Sequence, residues 1–171
     1  MPQAYLITFT CYGTWLHGDA RQSADRAHNV PGTPYLAPAQ SRFEANRRRM
    51  TQRPYALDAR RRACVLEALA EACARRGWAL RAAHVQDRHL HAVVTGLDGP
   101  ERVMNALKAY ASRRLNGNGF DSPDRKRWTR HGSTRYLWTP EAVAAAVEYV
   151  VSGQGGTMAV YDGRAAGGPA R

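Results

Sequence analysis

The sequence predicts an α+β fold of the ferredoxin-like split βαβ type, an antiparallel sheet covered by helices, with an added helix near the C-terminus. The main observation is the order of the local patterns along the chain: strand, helix, strand, strand, helix, strand. The second observation is the length, because 171 residues suit one compact domain. We therefore expect a single domain over residues 1–162 and a disordered tail over 163–171.

The first half of the chain predicts one strand, a long insertion and one helix. Residues 4–12 are rich in aromatic and β-branched side chains, which favours a strand. Residues 18–55 are polar and rich in proline, and they are too long for an ordinary loop, so we expect a functional insertion or a short helix within them. Apolar side chains recur at helical spacing between Asp58 and Gly77, which predicts a helix over residues 57–76.

The second half predicts the rest of the sheet and two more helices. Two strands joined by a tight connection are followed by a helix and a short strand, over residues 78–85, 89–95, 101–115 and 135–138. Thr139-Pro140-Glu141 combines an N-cap, a proline at the first helical position and an acid in the first turn. A third helix is therefore expected to run to about Ser152, before a final edge strand over 158–161.

The charge of the chain is strongly positive. Lys and Arg number 25 against 14 Asp and Glu, a formal net charge of +11. A basic domain of this size is typical of proteins that bind phosphate-rich polymers, although runs of charge are also typical of solvated faces. The expected DNA-contacting residues are Arg47, Arg48, Arg49, Arg113, Arg114, Arg125, Lys126, Arg127 and Arg130.

His89-Leu90-His91 is the most informative motif. Residues two apart on a strand point to the same face, so the two imidazoles are expected side by side on the sheet. Imidazole is the commonest protein ligand for transition metals, and two such ligands leave coordination positions open for a substrate. The motif therefore indicates a metal site, while a purely structural role for both histidines is the alternative.

Tyr149 lies on the third predicted helix but outside its apolar stripe. On a helical wheel it falls about 200° from Val147, the centre of a stripe completed by Val143, Val150 and Val151. Packing therefore does not explain this tyrosine, although an exposed aromatic on a surface helix is a common alternative. A tyrosine, a metal site and a basic surface together indicate phosphoryl transfer on nucleic acid, with the phenol as a covalent nucleophile.

These motifs resemble the HUH endonucleases. His89-Leu90-His91 is similar to their His-hydrophobic-His motif, and the helix with Tyr149 resembles that of the single-tyrosine branch, the insertion-sequence transposases and their REP-associated relatives. The segments 5–9, 12–18 and 128–135 also resemble members of this group, and the resemblance covers most of residues 4–162.

The resemblance implies a DNA transposase, a metal-dependent single-strand endonuclease and strand transferase that forms a 5′-phosphotyrosine intermediate. It implies Mg²⁺ or Mn²⁺ as cofactor, held by His89, His91 and an Asn or Gln. That third ligand usually follows the tyrosine by four residues, a position occupied here by Gly153. Gln154 stands one residue later and would reach the ion if the helix bulged or ended there.

The expected partner is single-stranded or hairpin DNA, and a homodimer is possible in such a family. No signal peptide and no membrane-length apolar run are visible in the sequence, so a cytoplasmic, nucleoid-associated, prokaryotic protein is expected. Cys11, Cys64 and Cys73 lack metal-ligand spacing and are interpreted as buried apolar residues. The alternatives are a non-catalytic binder of single-stranded or hairpin nucleic acid, such as a domesticated transposase, and a metal-sensing domain, which would leave the positive charge unexplained.

Overall fold

The computed structural model describes residues 1–14 and 40–165, with the side chain of Phe43 left aside. The first part of the predicted 18–55 insertion and the end of the predicted tail lie outside these residues. The elements in chain order are β1 Ala4–Thr10, α1 Gln40–Arg48, α2 Ala59–Arg76, β2 Ala79–Val85, β3 His89–Thr95, α3 Pro100–Gly117, β4 Ser133–Leu137, α4 Pro140–Ser152 and β5 Ala159–Asp162. The short helix expected within the insertion corresponds to α1.

The five strands form one antiparallel sheet in the order β4-β1-β3-β2-β5. The helices α2 and α3 connect β1 to β2 and β3 to β4, which is the split βαβ arrangement. The predicted α+β fold class is thereby confirmed, with α4 and β5 added after the last strand of the core motif. The register places His91 of β3 between Thr8 of β1 and His84 of β2.

One face of the sheet packs against α2 and α3. Alternate residues of each strand point to this face, among them Ile7, Phe9 and Leu90, and all three are fully buried. Burying a side chain of this size stabilises the fold by roughly 1.5–3 kcal/mol. This face therefore supplies the main hydrophobic core.

The other face of the sheet is covered by α4. Val147 and Val150 of the predicted stripe are buried there, while Val143 and Val151 are partly buried at its edges. The apolar residues that α4 meets on the sheet are Ala4, Leu6, Ala82, Val93 and Leu137. These lie at one end of the strands, so the apolar contact covers only part of the face.

The predicted helix boundaries have the expected physical causes. Asp58 caps α2 by accepting a hydrogen bond from the backbone of Arg61 at 2.8 Å, and Gly77 ends the helix in the left-handed conformation with φ 67°. The Thr139 hydroxyl accepts the backbone N–H of Ala142, which confirms the predicted start of α4. Among the described helices, none is long and apolar enough to cross a membrane.

The three cysteines are buried and unpaired, as predicted. Burial raises the pKa of the Cys11 and Cys73 thiols to about 12. These groups are therefore neutral thiols at physiological pH and behave as small apolar residues.

Candidate functional site

The strand β3 carries both histidines of the motif on the face that α4 covers. The ring centroids of His89 and His91 lie 5.1 Å apart with an interplanar angle of 79°. Leu90 between them points to the opposite face and is fully buried in the main core. The alternation expected from the sequence therefore places the two imidazoles as neighbours on one face of the sheet.

Tyr149 of α4 lies beside this pair. Its ring centroid is 5.7 Å from that of His91, and 47% of the residue is exposed to solvent. The position outside the apolar stripe, inferred from the helical wheel, leaves one side of the ring accessible while the other contacts the histidine. A substrate from solvent can thus reach the tyrosine, while His91 beside it is 8% exposed.

Gln154 reaches the same site because α4 ends before it. The Gly153 amide donates a hydrogen bond to the Tyr149 carbonyl at 2.9 Å, and the Gln154 side-chain amide donates to the same carbonyl at 3.2 Å. The Gln154 side chain also lies near enough to the His91 imidazole to raise its pKa, against the larger lowering by burial. A Cβ atom at position 153 would lie 2.8 Å from the Tyr149 carbonyl oxygen, so this tight turn favours glycine.

His84 of β2 connects the end of α4 to the sheet. Its Nδ1 lies 3.2 Å from the Val150 carbonyl, and its Nε2 accepts the Met158 amide at 3.2 Å. Nε2 is an acceptor, so Nδ1 carries the proton and donates to Val150. Both ring nitrogens are engaged, and His84 therefore acts as a structural residue that holds the residue next to Tyr149.

The three histidines are neutral at physiological pH. Burial, together with the nearby His89 and His84, lowers the pKa of His91 to about 4. Burial also lowers the pKa of His89 and of His84, against an opposing effect of Asp87 on His89 and of the Val150 carbonyl on His84. A neutral imidazole has a lone pair on one nitrogen, which is the form that binds a metal ion.

The donor set suits a divalent cation. In the part of the chain that the structure describes, no three His, Cys, Asp or Glu side chains are gathered as a metal-binding group. The possible ligands are instead the imidazoles of His89 and His91, whose ring centroids lie 5.1 Å apart, and the side-chain amide oxygen of Gln154, whose side chain lies near His91. Two nitrogens and one neutral oxygen leave positions for phosphate oxygens and water, as an ion such as Mn²⁺ or Mg²⁺ requires.

The predicted DNA-contacting residues do not all lie on one surface. Arg47, Arg48 and Arg49 are exposed at the end of α1. Arg113 and Arg114 lie on α3, which packs on the sheet face opposite the histidines. Arg114 also forms ion pairs of 2.7 and 2.8 Å with Glu67 and Glu71 of α2, and Arg113 stacks over Tyr110.

Arg125 and Lys126, two further predicted DNA-contacting residues, hydrogen-bond to the segment that follows α1. Arg125 donates to the Arg53 carbonyl at 2.8 Å, and Lys126 donates to the Thr51 hydroxyl at 2.6 Å. Arg130 is exposed in the segment that precedes β4, whose Thr129 hydroxyl lies 3.0 Å from that of Thr10. Thr10 points to the same sheet face as His91. The contact between Thr129 and Thr10 therefore holds the segment that carries Arg130 at the histidine end of that face.

The sequence predicts a DNA contact for Arg127, and the burial of this residue contradicts that prediction. Only 3% of this residue is exposed, and its guanidinium pairs with Asp121 at 3.5 Å and donates to Asn116 at 2.6 Å. A buried charge needs such partners, because an isolated ion in the protein interior is strongly disfavoured. Arg127 is therefore an internal residue, with no surface on which to receive a phosphate.

Two residues of the site region were missed from the sequence. The Thr8 hydroxyl oxygen lies 2.7 Å from Nδ1 of His91. The buried Lys108 ammonium donates to the carbonyls of Thr129, Arg130 and His131 at 2.9, 3.4 and 3.1 Å, which fixes the segment before β4. Thr8 alternates with Ile7 and Phe9 and so signals a polar face of β1, but only the strand register reveals its partner.

No protein-family model matches the chain, and no curated protein is similar to it in sequence. The chain is similar to a solved structure of a REP-associated tyrosine transposase bound to a REP hairpin, with 11% sequence identity and a TM-score of 0.46. The match covers 88% of this chain and 66% of that one. At this level of similarity, the match bears on neither the activity nor the ligands of this protein.

Proposed function

We propose that this protein is a metal-dependent single-strand DNA endonuclease and strand transferase with Tyr149 as its nucleophile. The observation that carries the proposal is the meeting of His89, His91, Tyr149 and Gln154 at one place. These residues come from a strand and from the end of a later helix. A solvated tyrosine next to two neutral imidazoles and an amide fits phosphoryl transfer, because the donors can hold a cation where the phenol can attack.

The tyrosine hydroxyl attacks the scissile phosphorus. A Tyr149 Oη–P bond forms while the P–O3′ bond breaks, so the 5′-phosphate remains on the protein and the proton ends on the departing 3′-oxygen. A neutral phenol is a weak nucleophile. A divalent ion bound by His89, His91 and Gln154 would supply the positive charge that polarises the phosphate. Because the phosphotyrosine bond conserves the energy of the phosphodiester, a second 3′-OH can reverse the step and rejoin a strand.

The proposed substrate is single-stranded or hairpin DNA. A net charge of +11 favours a polyanion, and each phosphate that is neutralised releases counterions. Arg130 is the first candidate for phosphate contact, because its segment joins the histidine end of the sheet through Thr129 and Thr10. The exposed Arg47, Arg48 and Arg49 of α1 are further candidates.

The test is a covalent trapping experiment with Tyr149→Phe. Wild-type protein incubated with Mn²⁺ and a 3′-labelled single-stranded oligonucleotide should form a labelled adduct that survives denaturation, and peptide mapping should place it on Tyr149. Tyr149→Phe should lose the adduct and at least about a thousandfold of the cleavage rate, because the nucleophile is absent.

Tyr136→Phe is the matched control for this experiment. Tyr136 is 45% exposed, against 47% for Tyr149, and it lies on the edge strand β4. This variant should cleave at the wild-type rate. An adduct on a different tyrosine, or cleavage retained by Tyr149→Phe, would refute the assignment of the nucleophile.

A second candidate function is binding of single-stranded nucleic acid without cleavage. It is favoured by Tyr136 and Trp138, whose rings stack at a centroid distance of 5.8 Å with an interplanar angle of 14° and are both exposed. Exposed aromatic rings of this kind can stack on nucleobases. Strong oligonucleotide binding, with no adduct and no cleavage at any concentration of Mn²⁺ or Mg²⁺, would support this function over the first.

A further inference from the structure

A threonine on the strand next to β3 contacts one of the two motif histidines. The Thr8 hydroxyl oxygen lies 2.7 Å from Nδ1 of His91, and the strand register pairs these two residues directly. Thr8 is partly buried, and His91 is 8% exposed. The contact is therefore short, sheltered from water and built on two adjacent strands of a five-stranded sheet.

The contact with Thr8 involves one of the two nitrogens of the His91 ring and leaves the other for a ligand. A neutral imidazole has one N–H and one lone pair, so it can donate from one nitrogen and bind a metal ion only through the other. With Nδ1 held by Thr8, the nitrogen left for a ligand is Nε2. A hydroxyl can accept a hydrogen bond as readily as donate one, and it can therefore receive Nδ1–H whenever Nε2 is coordinated.

We propose that Thr8 is a positioning residue that holds the His91 ring with Nδ1–H directed to its own hydroxyl and Nε2 directed to the metal position. The proposal rests on the function proposed above. Histidines that bind metal ions commonly donate their second ring N–H to a carboxylate, carbonyl or water, which fixes the tautomer and the orientation of the ring. Here the threonine hydroxyl takes the place of such a partner.

Thr10 gives the matched comparison. It lies two residues further along β1 on the same face, opposite His89 in the strand register, and its hydroxyl lies 3.0 Å from that of Thr129. Valine has the shape of threonine without the hydroxyl. Thr8→Val and Thr10→Val therefore remove the same group from the same strand, but only the first change removes a partner of His91.

The experiment combines two measurements on the full chain. The first is the binding of Mn²⁺ alone, followed by electron paramagnetic resonance during titration. Thr8→Val should bind Mn²⁺ about 10–100-fold more weakly than wild type, as expected for loss of a group that orients a metal ligand. Thr8→Ser should restore affinity to within a few-fold, and Thr10→Val should remain within about twofold of wild type.

The second measurement is the tautomer of His91, read from the ¹⁵N resonances of its ring in metal-free and Mg²⁺-loaded protein. The wild-type ring should show one tautomer in each state, with Nδ1 protonated when Mg²⁺ is bound. Thr8→Val should show a mixture of tautomers in the metal-free protein. Far-ultraviolet circular dichroism and the urea midpoint establish that each variant is folded.

The outcomes separate this inference from the proposed function. If Thr8→Val keeps wild-type Mn²⁺ affinity and wild-type ring resonances, Thr8 does not position His91, and the proposed function is unaffected. If wild-type protein binds no Mn²⁺, the metal-dependent function is refuted and the inference falls with it, whatever the metal-free resonances show. If Thr10→Val weakens Mn²⁺ binding as much as Thr8→Val, the effect belongs to the strand and the inference is wrong.

Discussion

The two faces of the sheet are built from alternate residues of the same strands, yet they differ in polarity. The face against α2 and α3 is apolar along its length, and each of these helices has 18 residues. The face against α4, a helix of 13 residues, is apolar only at the end where Ala82 and Val93 meet Val147. At its other end it presents Thr8, His91 and the remaining polar residues of the site.

The two faces therefore contribute differently to the stability of the fold and to the candidate site. A long, fully covered apolar face contributes most of the burial energy, so the second face can keep partly exposed polar groups at one end. Adjacent residues on β3 therefore serve different purposes, since Leu90 lies in the core while its neighbours His89 and His91 line the site.

Replacement of His91 should have the largest effect on activity. His91→Ala is expected to reduce Mn²⁺-dependent cleavage of single-stranded DNA about a thousandfold, because the proposed function makes His91 a ligand of the ion. The free energy of unfolding should fall by no more than roughly 1.5 kcal/mol, the contribution of one hydrogen bond. Cleavage assays with and without EDTA, together with urea unfolding, check both effects. Full cleavage by this variant would show that the polar end of the face against α4 does not carry the activity.

Replacement of Leu90, one residue earlier, should show the opposite pattern. Leu90→Ala leaves a cavity in the main core and should lower the free energy of unfolding by about 2–5 kcal/mol. The cleavage rate per folded molecule should stay close to wild type at low temperature, because the side chain points away from the site. Urea unfolding and single-turnover cleavage at matched folded concentrations provide the measurement. A specific loss of cleavage without loss of stability would contradict this prediction.

Replacement of Arg127 and of Arg130 tests whether each of these predicted DNA-contacting residues lies in the interior or on the surface. Arg127→Met should cost about 3 kcal/mol of stability, because Asp121 loses a buried partner. Arg130→Met should change stability by less than about 0.5 kcal/mol and should lower the salt dependence of DNA binding by about one unit of slope. Denaturant titrations and binding assays at several salt concentrations distinguish the two. Equal stability of the two variants would show that the assignment is wrong.

Replacement of Lys108 should have an effect that depends on pH. Burial lowers the pKa of its ammonium from 10.5 to about 8 in the folded protein. Between these values the unfolded chain binds more protons, so the contribution of Lys108 to stability rises with pH, by up to about 1.4 kcal/mol per pH unit. Below pH 8 both states are protonated and its contribution is constant.

The measurement is the difference in the free energy of unfolding between wild type and Lys108→Met from pH 7 to 10. The raised pKa values of the Cys11 and Cys73 thiols act in the opposite direction above pH 9, and they cancel in this difference because both proteins contain them. Wild type should gain stability relative to the variant above pH 8. Parallel pH profiles would show that the lysine does not titrate in this range.

Most of the fold follows from local patterns in the sequence. The alternation in 89–95, the cap at Thr139 and the terminator at Gly77 predict elements whose positions the structure confirms. The boundaries of β1 and β4 shift by about two residues. Beyond Thr10 the Cys11 amide still donates to the Arg88 carbonyl at 2.7 Å, in register with β3, while Cys11 forms an isolated bridge with Trp128.

The sequence by itself determined which residues share a face within one element: the histidines of β3, and Tyr149 outside the apolar stripe of α4. Periods of 2 and 3.6 residues are properties of the backbone and can be read without a structure. Only the tertiary structure decided that Tyr149 lies against His91, that the chain turns at Gly153 to bring Gln154 there, and that Arg127 is internal. Such contacts depend on strand register and helix packing, which are set by burial summed over the whole domain rather than by any local pattern.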